Sequence, residues 1–143
     1  MLVVDTNILV YAADSDSHWH AAARDWLDRR RERPDGWYVT WPILYEFLRV
    51  TTHPRVMRNP WSVRSAWAFV SVLLQSPGLG VIAATERHAA IVAQVLGELP
   101  WLAGNILHDA HTAILMREHG IRRVCTRDAA FHRFPFVEVV GPE

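Results

Sequence analysis

The sequence predicts an α/β fold: a three-layer α/β/α sandwich around a central, mainly parallel sheet of four or five strands. Two observations carry this. Short apolar, strand-like runs alternate with longer segments of helical periodicity, and turn signals separate them. Parallel strands joined by helices have both faces covered, so they read as unbroken apolar runs rather than alternating ones. At 143 residues the chain is expected to form one domain, 1–143, with a sizeable core.

Leu2-Val3-Val4 reads as the first buried strand, followed at once by a helix from about Asn7 to Ala13. From His18 to Arg31, the residues Trp19, Ala22, Ala23, Trp26 and Leu27 recur at helical spacing. Pro34-Asp35-Gly36 is a turn, and Trp37 to Thr40 is a second strand. Pro42 suits the first turn of a helix running towards Thr52, which His53-Pro54 ends. A loop then leads to a helix from Ser62 to Gln75, stopped by Pro77-Gly78. Gly80 to Ala83 is a third strand, and Glu86 to Leu99 a further helix. Gly104-Asn105 marks the N-cap region of a helix reaching His119, closed by Gly120. Arg123 to Thr126 is a fourth strand, and Val137 to Val140 a fifth at an edge.

Composition bounds the function. Half the residues are hydrophobic and 21% are charged, as in an ordinary globular chain. Net charge is zero, so no global basic field points to nucleic acid. All fifteen basic residues are Arg, which excludes mechanisms that need a Lys. The single cysteine, Cys125, sits in an apolar strand and reads as a buried structural thiol in a reducing compartment. With no basic leader and no apolar run near 18 residues, a soluble, cytoplasmic protein without membrane contact is expected.

The chemistry-bearing residues are four acids. Asp5 ends the first strand, and Asp128 lies just beyond the fourth. Glu46 lies in the helix after the second strand, and Asp109 early in the helix of NILHDAHTAIL. Each has an ordinary reading: Asp5 as a helix cap, Glu46 paired with Arg49, Asp109 complementing a helix dipole, Asp128 starting a turn. Taken together they point to one edge of one sheet, where sites of open α/β folds form. Gathered carboxylates repel, and a divalent hard cation removes that cost. Such a set suggests Mg²⁺ or Mn²⁺ and phosphodiester hydrolysis. Thr6, Asn7 and Thr126 are candidates to hold the ligands or waters in place, and Arg127 is the candidate phosphate contact.

DTNIL at residues 5–9, Glu46 inside a helix, HDAHTA around Asp109 and TRDAAF at 126–131 resemble PIN-domain nucleases over essentially the whole chain. THPRV (52–56), GNILHDAH (104–111) and RDAAFHRFP (127–135) more narrowly resemble VapC-type toxins of bacterial toxin–antitoxin pairs. The resemblance implies that Asp5, Glu46, Asp109 and Asp128 bind Mg²⁺ or Mn²⁺ and activate water to cut RNA endonucleolytically, tRNA and rRNA being typical targets. It also implies a cognate VapB-type antitoxin and a homodimer or a hetero-oligomer. Ala130 departs from the family, which often has a second acid there, so the number of metal ions stays open between one and two.

Other features are weaker. His108 and His111 share a helix face, but no third ligand has zinc spacing. The Arg29–Arg33 run reads as a solvated helix end. Trp19, Trp26 and Trp67 are expected in the core or an interface, and Trp41, Trp61 and Trp101 in loops. Two alternatives remain: a degenerate PIN domain that only binds RNA or protein, and a phosphohydrolase, which would want a Lys and, in the haloacid-dehalogenase type, an Asp where Asn7 stands.

Overall fold

The computed structural model describes residues 1–142. Among these, five three-residue strands form one sheet: β1 (Leu2–Val4), β2 (Trp37–Val39), β3 (Leu79–Val81), β4 (Arg123–Cys125) and β5 (Glu138–Val140). The helices are α1 (Thr6–Ala13), α2 (His20–Arg31), α3 (Trp41–Thr51), α4 (Val63–Leu74), α5 (His88–Glu98) and α6 (Ile106–Glu118), with a 3₁₀ turn at Ala129–Arg133. Strand order is β3-β2-β1-β4-β5, and every pairing is parallel.

The topology follows from handedness. From β1 through β2 to β3 the chain advances across the sheet in one direction, and right-handed crossovers place α1–α4 on one face. The return from β3 to β4 runs the other way and places α5 and α6 on the opposite face. The packing agrees: α1 lies against α2 and α3, α3 against α4, and α5 against α6. The central strand β1 is therefore covered on both sides, and Val3 and Val4 are fully buried. Trp37, Phe47, Phe131 and Phe134 fill the largest core positions.

Capping chemistry sets the helix starts. Thr40 Oγ1 accepts from Ile43 N (3.1 Å), and Ser62 Oγ from Ser65 N (3.1 Å). At the end of α6, Gly120 adopts φ 70°. Ile121 N donates to Met116 O (2.8 Å) and Gly120 N to Arg117 O (3.2 Å), the reciprocal pair of a Schellman closure.

Boundaries shift from the sequence reading by a residue or two, and three places show the physical reason or a missing cap. The third strand starts a residue earlier and stops at Val81, although Ile82 N still bonds Val39 O (3.0 Å). Helix α5 starts two residues late because Thr85 Oγ1 takes Arg87 N (3.1 Å) and folds 85–87 into a turn. Asn105 occupies the N-cap position of α6 without a side-chain cap, being already helical at φ −63° and ψ −25°.

One buried charge was not foreseen. Glu118, its side chain fully buried, accepts from Thr85 N, Thr85 Oγ1 and His88 Nδ1, each at 2.6 Å. Burial alone would raise its pKa, but the Thr85 and His88 hydrogen bonds outweigh burial and hold it below the usual carboxylate range. This bracket ties the start of α5 to the end of α6.

Gly78 marks where backbone limits substitution. Its φ is +80°, and an added Cβ would stand 2.8 Å from Arg33 O. Gly120 is left-handed too, but an added Cβ there meets nothing within 4 Å. Gly78→Ala is therefore expected to cost about 2–3 kcal/mol in urea unfolding and Gly120→Ala only about 1 kcal/mol. Equal losses would refute the clash at Gly78.

Candidate active site

The direction of the crossovers reverses between β1 and β4, so a crevice opens beyond their carboxyl ends. Asp5 follows β1 directly, and Asp128 follows β4 by three residues. Asp109 reaches the same crevice from the first turn of α6, and Glu46 from the middle of α3. All four line one cleft of about 230 Å³, together with Thr6, Asn7, Val10, Tyr11 and Val50. The same four acids also border a wider groove of about 1060 Å³ between α3 and the start of α6.

Asp5 is the most constrained of the four. It is 8% exposed. Its Oδ1 accepts from Thr6 N (2.8 Å), capping α1. Its Oδ2 accepts from Thr126 Oγ1 (2.8 Å) and Asn7 Nδ2 (3.4 Å). Asp5 N donates to Cys125 O (3.0 Å), which prolongs the β1–β4 ladder past the last strand residue. The cap and the cleft roles thus belong to one side chain.

The neighbouring polar residues brace Glu46 and Asp128. Thr6 Oγ1 donates to Glu46 Oε2 (3.3 Å) and Ile43 O (3.4 Å). Asn7 Nδ2 donates to Thr126 Oγ1 (3.0 Å), and Asn7 Oδ1 accepts from Arg127 N (3.4 Å). Thr126 Oγ1 also accepts from Asp128 N (3.0 Å). Asp128 Oδ1 accepts from Ala130 N (2.9 Å), so Asp128 starts the 3₁₀ turn while lining the cleft. Glu46 is the most exposed of the four, its side chain half exposed and 3.9 Å from Arg49 Nη2.

Mutual repulsion is visible in the proton affinities. Asp5 is pushed up to about 6, first by burial and then by the charges of Glu46 and Asp128, against hydrogen bonds from Thr126 and Thr6. Asp109 also rises to about 6, by burial and then by Asp128, Asp5 and Glu46. An all-oxygen, uncompensated donor set suits a hard divalent cation. Among the described residues, no three His, Cys, Asp or Glu side chains are yet drawn tightly enough together to hold one.

The remaining expectations divide. Cys125 is buried and its thiol is pushed up to about 12, mainly by burial, so it is inert as expected. Arg127 is not free: its guanidinium lies 3.2 Å from the Trp19 ring centroid. Arg30, expected in a solvated run, is buried because it reaches Asp35 Oδ2 (3.1 Å). Trp26 is in the core, Trp19 is half-buried beneath Arg127, and Trp67 is exposed. Trp41 begins α3 instead of lying in a loop. Sequence reasoning missed the apolar wall of Val10, Tyr11 and Val50; His108 and His111, read there as one helix face, both line the wider groove. Helical spacing from Asn7 and Glu46 could have found the wall.

The PIN domain family matches residues 2–137. Ribonuclease VapC43 of Mycobacterium tuberculosis is 34% identical over 134 residues, 94% of this chain and 90% of that protein. This chain belongs to the PIN-domain family, in its VapC group. Solved structures agree on the PIN fold. VapBC2 from Rickettsia felis, bound to a DNA fragment from its promoter, matches with a TM-score of 0.70 and 15% identity, covering 98% of this chain and 97% of that one. M. tuberculosis VapC20, described as a Sarcin-Ricin loop cleaving toxin, matches at 0.68 and 20%, covering 97% and 98%. Among the described residues of this PIN domain, no helix is long and apolar enough to cross a membrane.

The raised acids make stability depend on pH. A carboxyl at about 6 when folded, against its ordinary 3.8, binds its proton more tightly in the folded state. Folded stability therefore falls as pH rises from about 4 through 6. Asp109→Asn removes the charge at a half-buried position. In EDTA it is expected to melt a few degrees above wild type at pH 7.5, and to match it at pH 4. The same offset at both pH values would refute a cost of ionising Asp109 in this half-buried, acid-lined place.

Proposed function

We propose that this PIN domain is a Mg²⁺- or Mn²⁺-dependent endoribonuclease acting in the cytoplasm as the toxin of a toxin–antitoxin pair, held in check by a cognate VapB-type antitoxin. The observation that carries the reading is the convergence of four carboxylates, from four separate segments, on one cleft. The names of its relatives support RNA as substrate, and the likeness to VapBC2 supports a VapB-type partner. Self-association as a homodimer belongs to the same reading.

Asp5, Glu46, Asp109 and Asp128 would hold the ion. When bound, it supplies a water of lowered pKa and neutralises charge on the phosphoryl group. The chain's part is positioning. Thr126 and the Thr6 amide fix both oxygens of Asp5, and Thr6 Oγ1 steadies Glu46. Asn7 links Asp5, Thr126 and the Arg127 amide, which ties the two strand ends together. Val10, Tyr11 and Val50 give the cleft an apolar wall, which strengthens the electrostatic contacts inside it. Ala130 offers no second carboxylate, which favours one ion over two. A phosphohydrolase lacks support, since the chain has no Lys to balance a phosphate.

Purified protein is expected to cut RNA in Mg²⁺ or Mn²⁺ and to stop in EDTA. Asp5→Ala and Asp109→Ala should each lower kcat at least about 100-fold with an unchanged circular dichroism spectrum. Thr126→Val, which removes one bond to Asp5, should cost about tenfold. Unchanged cleavage in both acid variants would sink the proposal. RNA binding without turnover in wild type would favour a degenerate, binding-only domain.

A further inference from the structure

The nuclease reading leaves one surface unused. On α3 the buried residues are Ile43, Leu44, Phe47 and Thr51. On the opposite side of that helix Trp41, Tyr45 and Arg49 follow at four-residue spacing, one helical turn apart. All three are exposed: Trp41 is 43% and Tyr45 67% accessible, and the Arg49 side chain 64%. The two rings lie 6.3 Å apart, tilted by 56°. Tyr45 and Arg49 line the wide groove whose floor carries the four acids. Neither fold stability nor helix propensity calls for exposed Trp and Tyr at these positions.

We infer that Trp41 and Tyr45 are a base-stacking platform for unpaired nucleotides flanking the cut phosphodiester, with Arg49 as the phosphate contact at its far end. The inference rests on the nuclease reading of the adjoining cleft. A ring lining a groove, with a second ring abutting it and a cation beside it, is the pattern by which single strands are held, because every base has a π face. Arg49 is only loosely engaged, 3.9 Å from Glu46, so its guanidinium can turn to a phosphate. A protein occupant is less well served. Burying a dry apolar interface here would desolvate the carboxylates between the rims. A nucleic-acid strand instead keeps its bases on the rings and its phosphates over the floor.

The test is binding of a 12-nucleotide, fluorescein-labelled, single-stranded RNA of mixed sequence, followed by anisotropy with Ca²⁺ filling the oxygen sites. Trp41→Ala and Tyr45→Ala are each expected to weaken Kd about tenfold, while Trp41→Phe and Tyr45→Phe stay within about twofold. Arg49→Ala should reduce the salt slope by about one. A duplex of the same sequence should be indifferent to the ring substitutions. Unchanged Kd in both alanine variants, at wild-type melting temperature, would overturn the inference. So would equal losses on the duplex, or a change in self-association in place of RNA affinity. Wild-type cleavage in Mg²⁺ is read separately on a gel, so failure of the nuclease reading and failure of the platform give different results.

Discussion

Acids gathered at the edge of a covered sheet, partly out of water and close to one another, hold their protons more tightly than free carboxyls, and that constraint organises this molecule. Four carboxylates from the end of β1, the middle of α3, the first turn of α6 and the loop after β4 face one cleft. Burial first, and then the neighbouring charges, make two of them hold protons to about 6. The chain tolerates the repulsion because the frame around it is rigid. Val3 and Val4 are fully buried, and the β1–β4 ladder continues through Asp5 N to Cys125 O. Thr126 and Asn7 then cross-link the two strand ends beside Asp5.

The same residues carry local structure and chemistry together. Asp5 caps α1 and lines the cleft; Asp128 starts a 3₁₀ turn and lines the cleft. A helix cap fixes a side chain within a fraction of an ångström by a backbone bond, which is what a metal ligand needs. The ordinary and the functional readings of these acids are therefore not rivals. The fold places its caps where the topology already opens a crevice.

Much of this was legible in the sequence because it is encoded locally. Apolar runs, Pro42 and Gly120 place strands and helices to within a residue or two. The convergence of Asp5, Asp109 and Asp128 follows from strand ends and parallel topology. What escaped is non-local. His88 and Glu118 lie thirty residues apart with no periodic link, yet form one buried bracket. Arg30 in a run of exposed arginines is buried by a partner five residues on, past the helix end. Arg127 lies on Trp19, more than a hundred positions away. Trp41 reads as a loop residue because Pro42 follows it, but Pro is at home in a first helical turn, and the tryptophan simply begins that turn.

The central claim is that the four acids close on a divalent cation. The most direct measurement is a crystal structure of the wild-type protein grown with Mn²⁺ at pH 7.5 or above, where the acids are ionised, with anomalous diffraction collected at the manganese edge. The expected result is an anomalous peak in the cleft, with oxygens of Asp5 and Asp109 and at least one of Glu46 and Asp128 within about 2.4 Å of it or joined to it through one water. A cleft without a peak, or a peak held by other residues, would contradict it.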